Sequence, residues 1–185
     1  GVTSFKIEGR LKRPEYVAEV TRIYRKILDA ALEGKEASLQ QEDRTALMQV
    51  FNRGGFTSGY AKGQADADII HPQQVSHQGV PLGTVISTRP MKGVFISQIK
   101  VERALHDGDQ LQIHSSVLQE MIYAGPEVPA GGEAGIRHYK PAAAGDKVSR
   151  LVDAQQMSQA NAAISSPLPA ISLEAALRVR SGVPA

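Results

Sequence analysis

The feature that most constrains the fold of this 185-residue chain is a change in the period of its apolar residues near residue 70. Between residues 14 and 51, apolar side chains recur every three or four positions, as on one face of an α-helix. Between residues 80 and 152 they alternate or form short blocks separated by glycine and proline, which is typical of short β-strands. We therefore predict an α+β chain: an N-terminal strand and two helices, followed by a small closed β-barrel, because closure removes exposed sheet edges.

The N-terminal part predicts one strand and two helices. Residues 4–10 alternate between apolar and charged side chains, as a strand does. Pro14 suits the first turn of a helix and Gly34 suits its end, so we predict a helix over residues 14–33. Ser38 and Gln41 have the spacing of a capping box for a second, shorter helix. The glycine-rich segment 52–60 ends that helix.

The middle of the chain predicts the strands of the barrel, over residues 80–86, 94–101, 111–113, 118–123, around 136, and 147–152. Gly108-Asp109 and Gly145-Asp146 each stand just before an alternating strand. Glycine supplies the turn, and the aspartate can accept hydrogen bonds from nearby backbone N–H groups. Such a turn recurs in the second-domain barrel of translation elongation factors, which residues 75–152 resemble in pattern.

Composition excludes several classes of site. The chain has no cysteine, so it cannot form disulfides, hold an iron–sulfur cluster or use a thiol nucleophile. None of its five histidines has the spacing of a zinc site, and we expect no metal site. No apolar run reaches the ~20 residues of a membrane span, and no leader opens the chain. We expect a cytoplasmic protein with no membrane partner.

Two stretches carry a resemblance to a known family. The first is Ser4–Lys12, followed by Pro14–Val17 and by Tyr24-Arg25; the second is Phe51–Tyr60. Both resemble the collagenase-like peptidase family U32. The resemblance implies that residues 1–70 form the end of a (β/α)8-type catalytic domain, and that residues 71–153 form the barrel that follows it. It also implies that residues 154–185 contain a linker and the truncated first strand of a further domain, from Ile171 onward.

The same resemblance implies what is missing. Unpaired strands at both ends suggest a C-terminal fragment that lacks most of the catalytic barrel. In relatives that hydroxylate tRNA or ribosomal RNA, upstream cysteines hold an iron–sulfur cluster. We therefore expect no cofactor in this chain, and a cluster only in an upstream part of the parent protein.

Two groups of residues are candidates for chemistry. Lys6, Glu8 and Arg10 share one face of the predicted strand, where a barrel strand approaches the active site; the alternative is a salt-bridge layer or a solvated edge. In the second group, Asn52 and Arg53 are candidates to bind phosphate, with Phe56 and Tyr60 to stack on bases. For this second group, a turn that packs its aromatic rings on the helices is the favoured interpretation.

Three hypotheses follow for the function. In the first, the chain is an accessory region of a collagenase-like enzyme (peptidase or RNA hydroxylase); it contacts the rest of the catalytic domain, positions an RNA or protein substrate, and is not active alone. In the second, it is an RNA-binding module of an RNA-hydroxylating enzyme. That alternative depends on eight cations in or near the barrel: Arg89, Lys92, Lys100, Arg103, Arg137, Lys140, Lys147 and Arg150. Clustering of these cations on one face would favour RNA binding, whereas scattered cations would form only a solvated surface. In the third it is purely structural, and the barrel braces the catalytic domain of the parent protein or a dimer. Whichever holds, we expect the apolar face of the long helix to pack on the second helix, on the barrel or, preferentially, on a second copy.

Overall fold

The computed structural model describes residues 3–52, 54–56, 77–167, 172 and 174. In this part of the chain it shows three helices, α1 (Pro14–Leu32), α2 (Gln41–Val50) and α3 (Ala154–Ser165). The strands are β1 (Val80–Met91), β2 (Val94–Val101), β3 (Gln110–His114), β4 (Leu118–Ile122), β5 (Glu133–His138) and β6 (Lys147–Val152). The predicted α+β class is therefore confirmed.

The six strands form one curled antiparallel sheet in the order β4-β3-β6-β1-β2-β5. The predicted closed barrel is wrong, because β4 and β5 are the two edges and no backbone ladder joins them in the described residues. A side chain makes the link instead: the Gln119 Nε2 donates to the Lys140 carbonyl at 3.0 Å, and its Oε1 accepts from the Lys140 N–H at 2.8 Å. β5 ends at His138, so the following backbone meets this amide rather than a neighbouring strand. The likeness to the elongation-factor domain stays a prediction.

The core lies inside the curl of the sheet. β5 shows the alternation clearly: Ala134, Ile136 and His138 are buried, and the residues between them are exposed. The core also receives apolar side chains from the other strands and from the connections, among them Leu82, Val85, Ile99, Val101, Leu105, Leu111, Ile113, Tyr123 and Val148. The outer face of β2 and β5 carries Gln98, Lys100, Glu133 and Arg137, together with the partly buried Ile96.

The two Gly-Asp turns have the same geometry. Gly108 and Gly145 have φ of +86° and +95°, a conformation that favours glycine. Each following aspartate accepts a hydrogen bond from the backbone N–H three residues earlier: Asp109 from His106 at 3.0 Å, and Asp146 from Ala143 at 2.8 Å. The role of these residues as turn formers is confirmed.

The N-terminal strand of the predicted fold is wrong for the described residues. Residues 3–9 join no ladder, because a strand needs a neighbour for its backbone hydrogen bonds and the sheet offers none here. The chain then turns, with the Lys12 N–H donating to the Gly9 carbonyl at 2.9 Å and Leu11 at a φ of +64°. The turn leads directly into α1.

The predicted helix over residues 14–33 is confirmed as α1. It packs against α2 and α3, and Val20 and Ile23 are buried in that contact. The capping-box prediction is wrong, since α2 has Gln40 as its N-cap and the Gln40 side chain donates to the Ser38 hydroxyl at 2.7 Å.

A linker was predicted from residue 154, but residues 154–165 form α3. Its N-cap is Asp153, which accepts from the Gln156 N–H at 2.9 Å. The strand predicted from Ile171 lies outside the described residues, apart from positions 172 and 174. No helix in the described ranges combines the length and apolar character that crossing a membrane requires.

Candidate functional site

An apolar groove runs along α1. It encloses about 360 Å³. Its walls come from the N-terminal segment, α1, the connection that precedes α2, and α2 itself, and they are apolar or aromatic: Phe5, Ile23, Tyr24, Ile27, Leu28, Ala31, Leu39 and Leu47. We call this feature the α1 groove. Phe5 is 61% exposed and Tyr24 is 48% exposed, and their rings meet edge to face with centroids 6.0 Å apart.

Two ion pairs involve the helices that line the α1 groove. Arg25 and Asp29 pair one turn apart along α1, at 2.6 Å. Lys26 reaches across to the buried carboxylate of Asp43 on α2 at 2.7 Å, and so ties the two helices together. The α1 groove is therefore an apolar strip on two helices that an ion pair ties together, and an exposed apolar strip is typical of an interaction surface.

The predicted catalytic candidates lie at the N-terminal segment. The Lys6 ammonium and the Glu8 carboxylate form an exposed ion pair at 2.8 Å. Arg10 is exposed at the start of the turn, and the structure does not bring it to either of them. The side chains lie in solvent, outside any enclosed cavity, so their catalytic role stays a prediction.

Asn52 organises the glycine-rich turn. Its Oδ1 accepts from the N–H groups of Gly54 and Gly55 at 3.0 and 2.8 Å, and its Nδ2 donates to the Gly79 carbonyl at 2.7 Å. A bound phosphate would need these N–H groups as donors, but they already donate to Asn52. The geometry therefore favours a turn that packs against the rest of the chain. Phe56 is partly exposed, with its ring 5.5 Å from the Arg44 guanidinium carbon. Arg53 and Tyr60 lie outside the described residues, and the binding role of this group stays a prediction.

His77 joins the helical part to the sheet, a role that the sequence did not indicate. Its Nδ1 accepts from the Asn52 N–H at 2.9 Å, so its Nε2 carries the hydrogen and donates to the Leu151 carbonyl at 3.0 Å. The ring also stacks on Phe51 at a centroid distance of 6.2 Å. The partner on β6 is 74 residues away, and no local pattern signals such a contact.

A buried ion-pair network surrounds Arg150 on β6. Its guanidinium contacts the Asp109 carboxylate at 3.2 Å and the Asp153 carboxylate at 2.7 Å. It also donates to the Ala104 carbonyl at 2.9 Å and to the Gln49 side chain at 3.1 Å. Arg150 is 7% exposed and Asp109 is fully buried. Arg150 therefore links α2, the β2–β3 connection and the start of α3, and the view of it as a surface cation is wrong.

In the described part of the chain, His106, Asp109 and Asp153 lie close enough together to hold a metal ion. Asp109 and Asp153 are the two carboxylates that Arg150 contacts. The Asp109 oxygens already accept from Arg150 and from the N–H groups of His106 and Ala154. A guanidinium between two carboxylates repels a cation, so the donor set fits an ion-pair network and not a metal centre.

The pKa values of Glu19 and Tyr123 are shifted from their ordinary values. Burial raises the pKa of Glu19, but hydrogen bonds from Arg22 and Gln156 and the charge of Arg22 lower it more, and the net pKa lies below its ordinary value. The two contacts from Arg22 measure 3.0 and 2.6 Å. Burial, with the nearby charge of Asp107, raises the pKa of Tyr123.

Four cations share the outer face of the sheet. Arg89 on β1 and Arg137 on β5 are both register partners of Ile96 on β2. Further along, Lys147 on β6 and Lys100 on β2 are both partners of Thr84 on β1. We call these exposed residues, Arg89, Lys100, Arg137 and Lys147, the cationic face. Glu133 is the register partner of Lys100 and stands at one corner.

Comparison with known proteins places the N-terminal part in a family. Residues 1–71 match Peptidase family U32. An uncharacterized protease of Methanocaldococcus jannaschii is 31% identical over 117 residues, which are 60% of this chain and 28% of that protein. A collagenase of Porphyromonas gingivalis is 36% identical over 118 residues, 61% of this chain and 28% of the collagenase.

A third relative has a different name. The tRNA hydroxylation protein P2 of Bacillus subtilis is 44% identical over 57 residues, 29% of this chain and 18% of that protein. The chain thus spans less than a third of the length of the curated relatives that it matches. No solved structure matches the chain. The family match over residues 1–71 and the relatives named protease and collagenase confirm the resemblance of the chain to the collagenase-like peptidase family U32.

Proposed function

We propose that this chain is an accessory region of a family U32 enzyme, which packs against the catalytic domain and positions its substrate, and which is not catalytic alone. The observation that carries the proposal is the α1 groove. Burying a whole large apolar side chain contributes about 1.5–3 kcal/mol. Because roughly half of the Phe5 and Tyr24 side chains is exposed, covering each contributes about 1 kcal/mol.

The rest of the catalytic domain is the partner that fits this groove. In the protease and collagenase relatives, the matching segment makes up 28% of the chain and is joined to a much larger remainder. The groove lies within residues 5–47, inside the part that matches the family. An exposed apolar strip in a segment that is joined to so large a remainder is best covered by that remainder. The iron–sulfur cluster implied by the resemblance belongs to the upstream part in this proposal, since the chain has no cysteine.

The serine–histidine pairs in the described residues support a non-catalytic role. The Ser97 hydroxyl lies 2.7 Å from the His138 Nε2, but both side chains are buried and no substrate reaches them. The His114 Nε2 lies 2.9 Å from the Ser149 hydroxyl. In the described part of the chain no carboxylate orients the other nitrogen of His114, so this pair lacks the third member of a catalytic triad.

The test is a reconstitution on gelatin and casein. The chain is assayed alone and together with the catalytic part of the collagenase relative, produced without its matching segment. We expect no cleavage by the chain alone and association of the two parts, which Tyr24→Lys abolishes while leaving the circular dichroism of the chain unchanged. Cleavage by the purified chain that is lost on mutating one of its own residues would overturn the proposal.

RNA binding is a second candidate function. Of the eight cations, Arg150 is buried, and the other seven are exposed; four of those seven form the cationic face. The relative named tRNA hydroxylation protein adds support from the family. A gel shift with tRNA that weakens as salt rises tests this function, and the lack of any shift at low salt would remove it.

A further inference from the structure

Basic side chains and one exposed aromatic ring gather where the β1–β2 hairpin meets the end of β5. The hairpin turns at Lys92 and Gly93, whose φ angles are +44° and +83°. Lys92 and Lys140 are exposed, as are the two arginines of the cationic face nearest this end. Tyr139 is 76% exposed. We call Arg89, Lys92, Arg137, Tyr139 and Lys140 the hairpin platform.

Acidic residues are absent from the segments that build this platform. Residues 86–98 and residues 134–145 contain no Asp or Glu. The chain as a whole carries a formal charge of only +2, so the four cations here are a local concentration of charge. Arg89 and Arg137 flank Ile96 on neighbouring strands, which places their Cα atoms about 10 Å apart. Cations at this spacing on one face of the sheet can contact more than one phosphate of the same strand.

The backbone that presents Tyr139 is held on both sides by buried groups. On one side, the buried His138 ring donates from Nδ1 to the Lys140 carbonyl at 2.8 Å, so its Nε2 accepts from the Ser97 hydroxyl. On the other side, Gln119 holds both the N–H and the carbonyl of Lys140. The backbone that carries the exposed ring is therefore already fixed. Binding through the ring would cost little additional conformational entropy of the backbone.

We infer that the hairpin platform binds a single-stranded nucleic acid, with its cations on the phosphates and the Tyr139 ring stacked on a base. The inference rests on the RNA-binding candidate and names its site and the form of nucleic acid. Cations alone would serve an acidic protein surface equally well. An exposed aromatic ring beside them favours an unpaired base, because a duplex hides its base faces and stacking contributes about 1–3 kcal/mol per base.

The experiment measures fluorescence anisotropy with a labelled oligouridine and with an RNA duplex of the same length, over salt from about 50 to 200 mM. We expect the oligouridine to bind more tightly. The double variant Arg89→Gln/Arg137→Gln should weaken binding and lower the salt slope by about 1.4, at roughly 0.7 per lost contact to a single strand. Tyr139→Ala should weaken binding by about 5- to 150-fold at an unchanged salt slope, and Tyr139→Phe should restore it.

The matched control is Arg25→Gln/Lys35→Gln, which removes two exposed cations from the helical part and should leave binding unchanged. RNA binding that is unaffected by the Arg89, Arg137 and Tyr139 variants would overturn this site and leave the RNA-binding candidate standing. Equal or tighter binding of the duplex, or full competition by polyglutamate, would overturn the single-strand assignment. Absence of any binding at low salt would remove the RNA-binding candidate itself.

Discussion

Replacing Arg150 by methionine tests whether the buried ion-pair network holds the helices to the sheet. Methionine keeps most of the volume of the side chain but removes its charge and all its donors. Asp109 is then left fully buried without its cationic partner, and Asp153 and the Ala104 carbonyl also lose a hydrogen bond. Breaking a buried pair by removing one partner costs about 3–5 kcal/mol. That is a large part of the 5–15 kcal/mol by which a typical domain is stable.

The assay is urea unfolding followed by far-ultraviolet circular dichroism, which suits a chain without tryptophan. With a urea slope of about 2–3 kcal/mol per M, we expect Arg150→Met to lower the unfolding midpoint by about 1–2 M. Lys147→Met is the matched control, because it removes an exposed cation from the same strand and should change the stability by no more than about 0.5 kcal/mol.

A double variant separates the pair from the arginine alone. In Arg150→Met/Asp109→Asn the uncompensated buried charge is gone, so the free energy of unfolding should recover part of the loss, with a coupling of about 0.5–3 kcal/mol. The reasoning is refuted if Arg150→Met unfolds at the same urea concentration as Lys147→Met. It is also refuted if the double variant shows no coupling.

Three further outcomes are expected. Because the pKa of Glu19 is lowered, its ionised form stabilises the fold above the unfolded-state pKa, and this stability is lost as the pH falls through the folded-state pKa. Glu19→Gln should therefore weaken the dependence of the melting temperature on pH in the acid range. An unchanged pH dependence would contradict this. The isolated chain should dimerise through the α1 groove, so Ile27→Glu should give a monomer by light scattering, whereas a strictly monomeric wild type would disprove the contact. Asn52→Ala leaves the Gly54 and Gly55 N–H groups and the Gly79 carbonyl without their partner and should cost about 2–3 kcal/mol in thermal unfolding, while a loss below about 0.5 kcal/mol would show that the turn does not depend on this side chain.

Local patterns predicted the regular elements well. The bounds of β2 and β6 and the start of α1 agree with the sequence because turn residues delimit them: Gly93, Asp146 and Pro14. β1 runs on to Met91, five residues beyond its prediction. A register shift between Val85 and Ser87 interrupts its alternation, so the second half of the strand did not show the period of the first.

Features that depend on distant partners were not predicted. Closure of a barrel depends on whether two edge strands meet. Here the only link described between the edges is the Gln119 side chain, which bonds the backbone of Lys140, 21 residues further along the sequence. The apolar and charged residues of the N-terminal segment alternate as in a strand, but an alternating pattern does not provide a neighbouring strand for the backbone hydrogen bonds. The sequence does contain a signal for α3, since alanine and glutamine form helices readily and Asp153 caps the first turn.

The candidate site also combines features that local patterns predict with features that depend on distant partners. Arg150 and Lys147 are three residues apart on one strand, and nothing in the sequence distinguishes the buried one from the exposed one. The difference arises from Gln49 and Asp109, which are 101 and 41 residues away from Arg150. The shared side of Arg89 and Arg137, by contrast, follows from strand register, and the sequence already suggested that clustering on one face would favour RNA binding.

The proposed functions use opposite parts of one connected structure. The α1 groove belongs to the helical part, and the hairpin platform belongs to the far end of the sheet. Arg150, His77 and Asn52 join these parts through buried hydrogen bonds to α2, β6 and the Gly79 carbonyl. Because those bonds fix the helices on the sheet, packing of the α1 groove on a catalytic domain also sets the direction in which the platform points. Under the proposed function, an accessory region of this design positions a nucleic acid without contributing any catalytic group of its own.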